Sequence, residues 1–212
     1  IRTSTTTEER GGALTSSYDA ARFDWEHRTD AGETTDEMMW DHLEAFLGGI
    51  VPAAEAAGVQ LAMHPDDPPV SPMWGLARIM RSVENFERLF ALAPSEVNGM
   101  TFCQGCFAEL GEDLPQLIHR FGDRIKFALF RDIAGRPDRF RETFPDNGPT
   151  PMEAVLRAYR DIGYRGLLRS DHVPQLVTET GGNDGYGLHG NLFAIGYIKG
   201  LMEPVFGRPD QT

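Results

Sequence analysis

Apolar residues recur along the chain with two different periods, one typical of helices and one typical of buried strands. Met39, Leu43 and Leu47 lie at helical spacing and predict a helix that Gly58 ends. The run at residues 59–63 is short and almost continuously apolar, which indicates a strand buried on both faces. Helix and strand patterns then alternate to the end of the chain.

Four strands and five helices are predicted, with threonine-centred capping boxes (Thr34 with Glu37, Thr150 with Glu153) before two of the helices. The strands are predicted at residues 59–63, 99–102, 125–130 and 166–169, and the other helices at 83–92, 114–121 and 192–202. Buried strands that alternate with helices predict a parallel α/β sheet. Polar groups at each strand's carboxyl end favour a TIM barrel, and a closed barrel has eight strands. We therefore predict a partial barrel of about four βα units.

The segment at residues 1–33 is polar, contains no convincing strand pattern and begins with Ile1 instead of methionine. We expect it to be a loop region that follows a missing N-terminal half-barrel. Residues 34–212 are expected to form the C-terminal half of the barrel as one domain.

The net charge of the chain limits the kinds of binding partner that are expected. The 212 residues carry a net charge of −12, which argues against nucleic acid or an anionic membrane as a partner. A small anionic substrate stays compatible, because local arginines can outweigh the overall field. Neither an apolar run of membrane-spanning length nor a signal peptide is recognisable in this sequence, so a cytoplasmic location is expected.

Three potential metal ligands stand at the predicted strand ends. His64 opens the run HPDDPP, Cys103 ends the next strand, and Asp171 follows the last one. An imidazole, a thiolate and a carboxylate suit a divalent transition metal such as Mn²⁺ or Fe²⁺. The alternative is structural: His64 caps a turn, Cys103 is a buried thiol, and Asp171 pairs with an arginine.

The two cysteines, Cys103 and Cys106, are spaced C-x-x-C. This spacing is also found in redox pairs and in half of a structural zinc site. A structural zinc site of this kind has a second such pair, and the sequence contains no further cysteine.

Four further residues are candidates for substrate chemistry. His172 and the glycine-flanked Tyr186 are candidates for proton transfer, and His172 could instead orient a neighbouring ligand. Arg131 and Arg169 are candidates to bind a substrate carboxylate, although a structural salt bridge would explain either one equally well.

At these residues the chain resembles the mannonate dehydratase family, whose members are xylose-isomerase-like barrels. The resemblance covers nearly the whole chain and includes residues 2–4 and 10–13 near its start. The motifs that carry it are residues 64–69 (HPDDPP), 101–105 (TFCQG), 130–132 (FRD), 146–148 (DNG), 171–174 (DHVP), 185–187 (GYG) and 193–197 (FAIGY).

The resemblance implies a hydro-lyase that dehydrates D-mannonate to 2-dehydro-3-deoxy-D-gluconate in hexuronate (glucuronate) catabolism. It implies metal ligands at His64, Cys103 and Asp171, acid–base roles for His172 and Tyr186, and Mn²⁺ or Fe²⁺ as the cofactor. The expected partner is a small sugar-acid substrate, without nucleic acid or membrane.

The sequence departs from the family at Leu129, where the family carries a further metal-binding histidine, and at Cys106, where a serine is usual. Leucine cannot donate electrons to a metal. Two alternatives therefore stay open: a non-catalytic, truncated or degenerate paralogue, and a related sugar isomerase or epimerase. Because half a barrel leaves sheet edges open, we expect a homo-oligomer or dependence on the missing half.

Overall fold

Within residues 1–179 and 185–207, which the computed structural model describes, the strands form two separate sheets of four strands each. The strands are β1 (Ser4–Glu8), β2 (Leu14–Asp19), β3 (Leu61–Met63), β4 (Asn98–Cys103), β5 (Ile125–Phe130), β6 (Ile133–Arg136), β7 (Arg139–Glu142) and β8 (Leu167–Ser170). The α-helices are α1 (Asp36–Ala57), α2 (Val83–Leu92), α3 (Gln104–Glu109), α4 (Leu114–Phe121), α5 (Met152–Asp161) and α6 (Leu188–Phe206).

The first sheet is parallel, with the order β3-β4-β5-β8. Its strands are neighbours in the sheet in the order in which they occur in the chain, and helices connect them. This is the arrangement of consecutive βα units in a barrel. The four predicted parallel strands are therefore present, although β3 is shorter than predicted and begins only at Leu61.

Helices cover one face of the parallel sheet and form the main core with it. Phe86 from α2, Phe107 from α3 and Tyr159 from α5 pack there around Phe102 of β4, and each of them is at most 1% exposed. Along β4 and β5 both faces are largely buried, so apolar side chains stand at consecutive positions, as at residues 127–130, instead of alternating.

The second sheet is antiparallel, with the order β1-β2-β7-β6. The expectation that residues 1–33 contain no strand was wrong, because β1 and β2 both lie there. In the sequence STTTE of β1 no position is a large apolar residue, so no alternating apolar pattern marked the strand. Its partner is β2, which in turn pairs with β7 far along the chain. The proposed domain boundary at residue 33 stays a prediction.

Local capping explains where several helices begin. The Ser82 hydroxyl accepts a hydrogen bond from the Asn85 backbone N–H at 3.3 Å, so α2 begins as predicted. Helix α1 is capped by Thr35, not Thr34, because Thr34 Oγ1 instead accepts from the Ala77 N–H at 2.9 Å.

The predicted cap of α5 was also wrong, since Pro151 occupies that position. Thr150 makes two hydrogen bonds to the carboxylate of Asp132 instead, at 2.6 and 2.8 Å. Helix α6 is longer at both ends than predicted. In the described part of the chain, none of the helices combines the length and the apolar character needed to cross a membrane.

Candidate metal centre and acid–base site

The register of the parallel sheet brings the predicted strand-end residues into one row. Cys103 of β4 pairs with Leu129 of β5, and Leu129 pairs with Arg169 of β8. Residues paired in register share a face of a sheet. Leu129, where the family carries a histidine, therefore lies directly beside the Cys103 thiol and is 6% exposed.

His64, Cys103 and Cys106 form a cluster of potential metal ligands. One ligand atom from each of the three side chains lies within 4.8 Å of the other two. The His64 Nδ1–H donates to the carbonyl oxygen of Pro65 at 2.6 Å, so Nε2 is the ring nitrogen that remains available to a metal. Both cysteines are free thiols and fully buried, whereas His64 lies at the exposed edge of the cluster.

The two thiols differ in acidity. Burial alone would raise the pKa of Cys103, but the hydrogen bond from Cys106 and the positive charges of Arg131 and His64 lower it well below its usual value. Burial raises the pKa of the Cys106 thiol well above its usual value, and the neighbouring Cys103 raises it further. Cys103 is therefore the thiolate of the pair.

Asp171, the third predicted ligand, contacts other side chains. Its carboxylate lies 3.3 Å from Nε of Arg131 and accepts a hydrogen bond from the Tyr186 hydroxyl at 3.3 Å. Among the described residues it does not join His64 and Cys103 in a group of ligand atoms within 4.8 Å of one another. The structural alternative, an ion pair between Asp171 and Arg131, is thus observed.

His172 and Tyr186 meet beside Asp171. Nε2 of His172 lies 3.1 Å from the Tyr186 hydroxyl oxygen. Burial, with the positive charge of Arg131, lowers the pKa of His172 to about 4. Burial, with the negative charge of Asp171, raises the pKa of Tyr186 to about 12. At neutral pH the imidazole is therefore neutral and the phenol keeps its proton.

The backbone at His172 is unusual as well. Its φ of +40° lies in the left-handed region, which non-glycine residues rarely adopt. Val173, the next residue, forms a bridge with Tyr186 across the loop. Local strain of this kind is concentrated at functional sites.

Arg131 is the electrostatic centre of the site, although only 1% of its side chain is exposed. It donates to Glu142 at 2.8 and 2.9 Å and to Asp67 at 2.8 Å, and its Nη2 lies 3.3 Å from the Cys106 sulfur. A Cβ at Gly105 would collide with the guanidinium, so only glycine fits there. The guanidinium of Arg131 is thus already paired with groups of the chain itself, and its contact with a substrate stays a prediction.

Arg169 differs from Arg131 because its side chain is exposed. Its guanidinium carbon lies 5.8 Å from the centre of the Tyr186 ring, on the sheet face that also carries Cys103. It therefore stands next to the proposed acid–base pair, and among residues 1–179 and 185–207 no carboxylate forms an ion pair with it as close as those of Arg131. Its substrate-binding role stays a prediction.

Three residues around Arg131 were not among the candidates predicted from the sequence. Glu142 and Glu109 are each at most 1% exposed and face its guanidinium, and Arg2 forms ion pairs with both Glu142 and Asp67. The sequence gives no direct indication that Glu109 is buried. Its only sequence signal is its separation from Cys103 by almost two helical turns.

The architecture and the site together define the fold class of the protein. Four βα units with imidazole, thiol and carboxyl groups at their carboxyl ends are part of a xylose-isomerase-like TIM barrel. A xylose isomerase domain protein from Alicyclobacillus acidocaldarius has this fold, with a TM-score of 0.56, 14% identity, and coverage of 85% of this chain and 63% of that one. The predicted fold class is confirmed.

The particular family follows from closer matches. The family model of D-mannonate dehydratase (UxuA) matches residues 19–208. Mannonate dehydratase 2 of Halalkalibacterium halodurans is 41% identical over 177 residues, which are 81% of this chain and 51% of that protein. The crystal structure of mannonate dehydratase from Streptococcus suis serotype 2 has a TM-score of 0.88 and 29% identity, covering all of this chain and 67% of that one.

The chain belongs to the mannonate dehydratase family. It spans about half the length of the curated relatives it matches. The resemblance seen in the sequence is confirmed, and the isomerase or epimerase alternative is not favoured.

Proposed function

We propose that this chain contributes to a mannonate dehydratase, a hydro-lyase that converts D-mannonate to 2-dehydro-3-deoxy-D-gluconate. The single observation that carries the proposal is the 3.1 Å distance between Nε2 of His172 and the Tyr186 hydroxyl, next to a thiol–imidazole cluster, in a member of this family. One group able to accept a proton and one able to donate it are what a dehydration requires.

The donor set of the cluster fits a divalent transition metal. His64 and Cys103 offer an imidazole nitrogen and a thiolate at close range, and Asp171 is the third ligand that the sequence predicts. The resemblance implies Mn²⁺ or Fe²⁺, and of these Fe²⁺ suits a thiolate better. When bound, such an ion polarises substrate oxygens and stabilises the negative charge that develops on proton removal.

The side chains of this chain divide the acid–base work. An imidazole nitrogen of His172 takes the proton from C2 of D-mannonate, because burial keeps this ring unprotonated at neutral pH. Oη of Tyr186 gives its proton to the C3 hydroxyl, which leaves as water. The resulting enol tautomerises to the 2-keto product.

Arg169 is the cationic group that we assign to the substrate carboxylate. It is exposed and stands against the Tyr186 ring, whereas Arg131 is already paired with carboxylates of the chain. In this proposal Arg131 acts as a positioning residue. It holds Asp171 at 3.3 Å and, through Asp171, the hydroxyl of Tyr186.

The same proposal includes an association that completes the barrel. Leu167 on the parallel sheet is 72% exposed, so a large apolar side chain of β8 faces away from the helices without cover. A second copy, or a preceding half-barrel, would cover it. The cytoplasmic location and the role in hexuronate catabolism expected from the sequence belong to this proposal too.

The second candidate is a non-catalytic remnant, and Leu129 favours it because it removes one ligand beside Cys103. The two candidates differ in one measurement. Purified chain is supplied with Mn²⁺ or Fe²⁺ and D-mannonate, and the 2-keto acid is quantified by its semicarbazone.

Turnover by the wild-type chain is expected, with a loss of about 10² to 10⁴-fold in kcat on Tyr186→Phe, since the phenol proton is the proposed acid. Tyr197→Phe is the matched control, because Tyr197 lies on α6 and has no proposed role. A folded, metal-loaded chain that forms no product would reject the dehydratase and leave the remnant.

A further inference from the structure

Cys106 stands where it can supply what Leu129 removes. It lies on α3, one helical turn beyond Cys103, so both sulfurs emerge on the same side of the strand–helix junction. The two thiols and Leu129 pack together in one buried cluster. Leu129 occupies one side of the Cys103 sulfur with hydrocarbon, and Cys106 places a second sulfur close to it.

We propose that His64, Cys103 and Cys106 form a two-thiolate metal site that prefers Zn²⁺ to Mn²⁺. This inference rests on the proposed function only in locating the metal at this strand end. Tetrahedral zinc with bonds of roughly 2.0 to 2.3 Å holds neighbouring ligand atoms just under 4 Å apart. The three ligand atoms already lie within 4.8 Å of one another, so shifts of under about 1 Å would close the site.

The hydrogen bonds around the cluster orient its ligands. The Pro65 carbonyl accepts from Nδ1 of His64 and thereby leaves Nε2 as the coordinating nitrogen. The Arg131 Nη2–H points at the Cys106 sulfur at 3.3 Å, which is the outer hydrogen bond that a metal-bound thiolate accepts. Both ligands are therefore already held by partners that metal binding would leave in place.

Charge balance favours the same set of ligands. Metal binding displaces the proton of the Cys106 thiol to solvent, and the two thiolates then neutralise a divalent cation, so this site needs no carboxylate. Asp171 can then keep its ion pair with Arg131 at 3.3 Å, whereas a site built from His64, Cys103 and Asp171 requires that pair to break. Thiolate pairs select zinc over manganese, which prefers oxygen ligands.

The test is metal binding, which is read without turnover. Co²⁺ is titrated into the reduced chain, and the thiolate-to-cobalt charge-transfer band reports the number of coordinating sulfurs. Zn²⁺ is expected to displace Co²⁺ stoichiometrically, and Mn²⁺ in excess is not. In Cys106→Ser the band should fall to about half, and the Zn²⁺ affinity should fall by roughly tenfold or more.

Asp171→Asn is the matched variant, and its Zn²⁺ affinity should stay within about threefold of the wild type. A band unchanged by Cys106→Ser, or a greater loss of affinity in Asp171→Asn, would overturn the proposal. Stoichiometric Zn²⁺ binding without dehydration of mannonate would contradict only the proposed function.

Discussion

Replacing Arg131 by methionine should destabilise the fold far more than breaking an exposed ion pair. Its guanidinium contacts Glu142 at 2.8 Å and Asp67 at 2.8 Å, with the arginine 1% and the glutamate 0% exposed. Removing one partner of such a buried pair costs about 3–5 kcal/mol, because the remaining charge stays desolvated. Arg2 also pairs with both carboxylates and offsets part of the loss, so we expect about 3 kcal/mol.

The control is Arg120→Met, which breaks a pair with Glu87 whose side chains are about half exposed. An exposed pair contributes about 0.2–1 kcal/mol. Urea titrations of both variants, followed by circular dichroism, give the two free energies of unfolding. If the free energy of unfolding of Arg131→Met were no more than about 1 kcal/mol below that of Arg120→Met, the reasoning would be refuted, because the buried carboxylates would not need the Arg131 guanidinium.

Three further predictions concern single positions. Between pH 6.5 and about 4 the wild type should lose up to roughly 3 kcal/mol more stability than His172→Gln, because the folded imidazole resists the proton that an unfolded imidazole takes up. The charges of Arg131 and Asp171 face this ring. If the free energies of unfolding of the two proteins changed in parallel with pH, this prediction would be refuted. Gly105→Ala should lower Tm by displacing the Arg131 guanidinium, whereas Gly196→Ala, where a Cβ meets nothing within 4 Å, should not. Ser82→Ala should cost about 1 kcal/mol in thermal unfolding, and no change would mean that the cap contributes nothing.

Local signals explain why much of the fold was predictable. Helix α2 and strand β5 have the bounds expected from the sequence. An N-cap serine marks the start of α2, and an apolar run interrupted only by Lys126 marks β5. Strands β1 and β7 lack such signals because they consist largely of polar or charged residues. What holds them in place is pairing in the antiparallel sheet with β2, which no local pattern records.

The candidate site was predictable for a different reason. Parallel strands end at the same edge of a sheet, so His64 and Cys103 could be expected to converge before any contact was known. The ion pairs of Arg131 with Glu142 and Asp67 could not, because each depends on a partner from another part of the chain. Glu142 lies on a hairpin beyond β5, and Asp67 follows β3. Sequence spacing contains no record of such pairings.

The antiparallel sheet also determines when the site can form during folding. Arg2 and Glu142 are 140 residues apart in the chain, yet their ion pair is part of the charge cluster around Arg131. Contacts of such long sequence separation form slowly, because loop closure must precede them. The parallel units can therefore assemble first. The charge cluster that positions Asp171 is complete only when the first residues of the chain pack against β7.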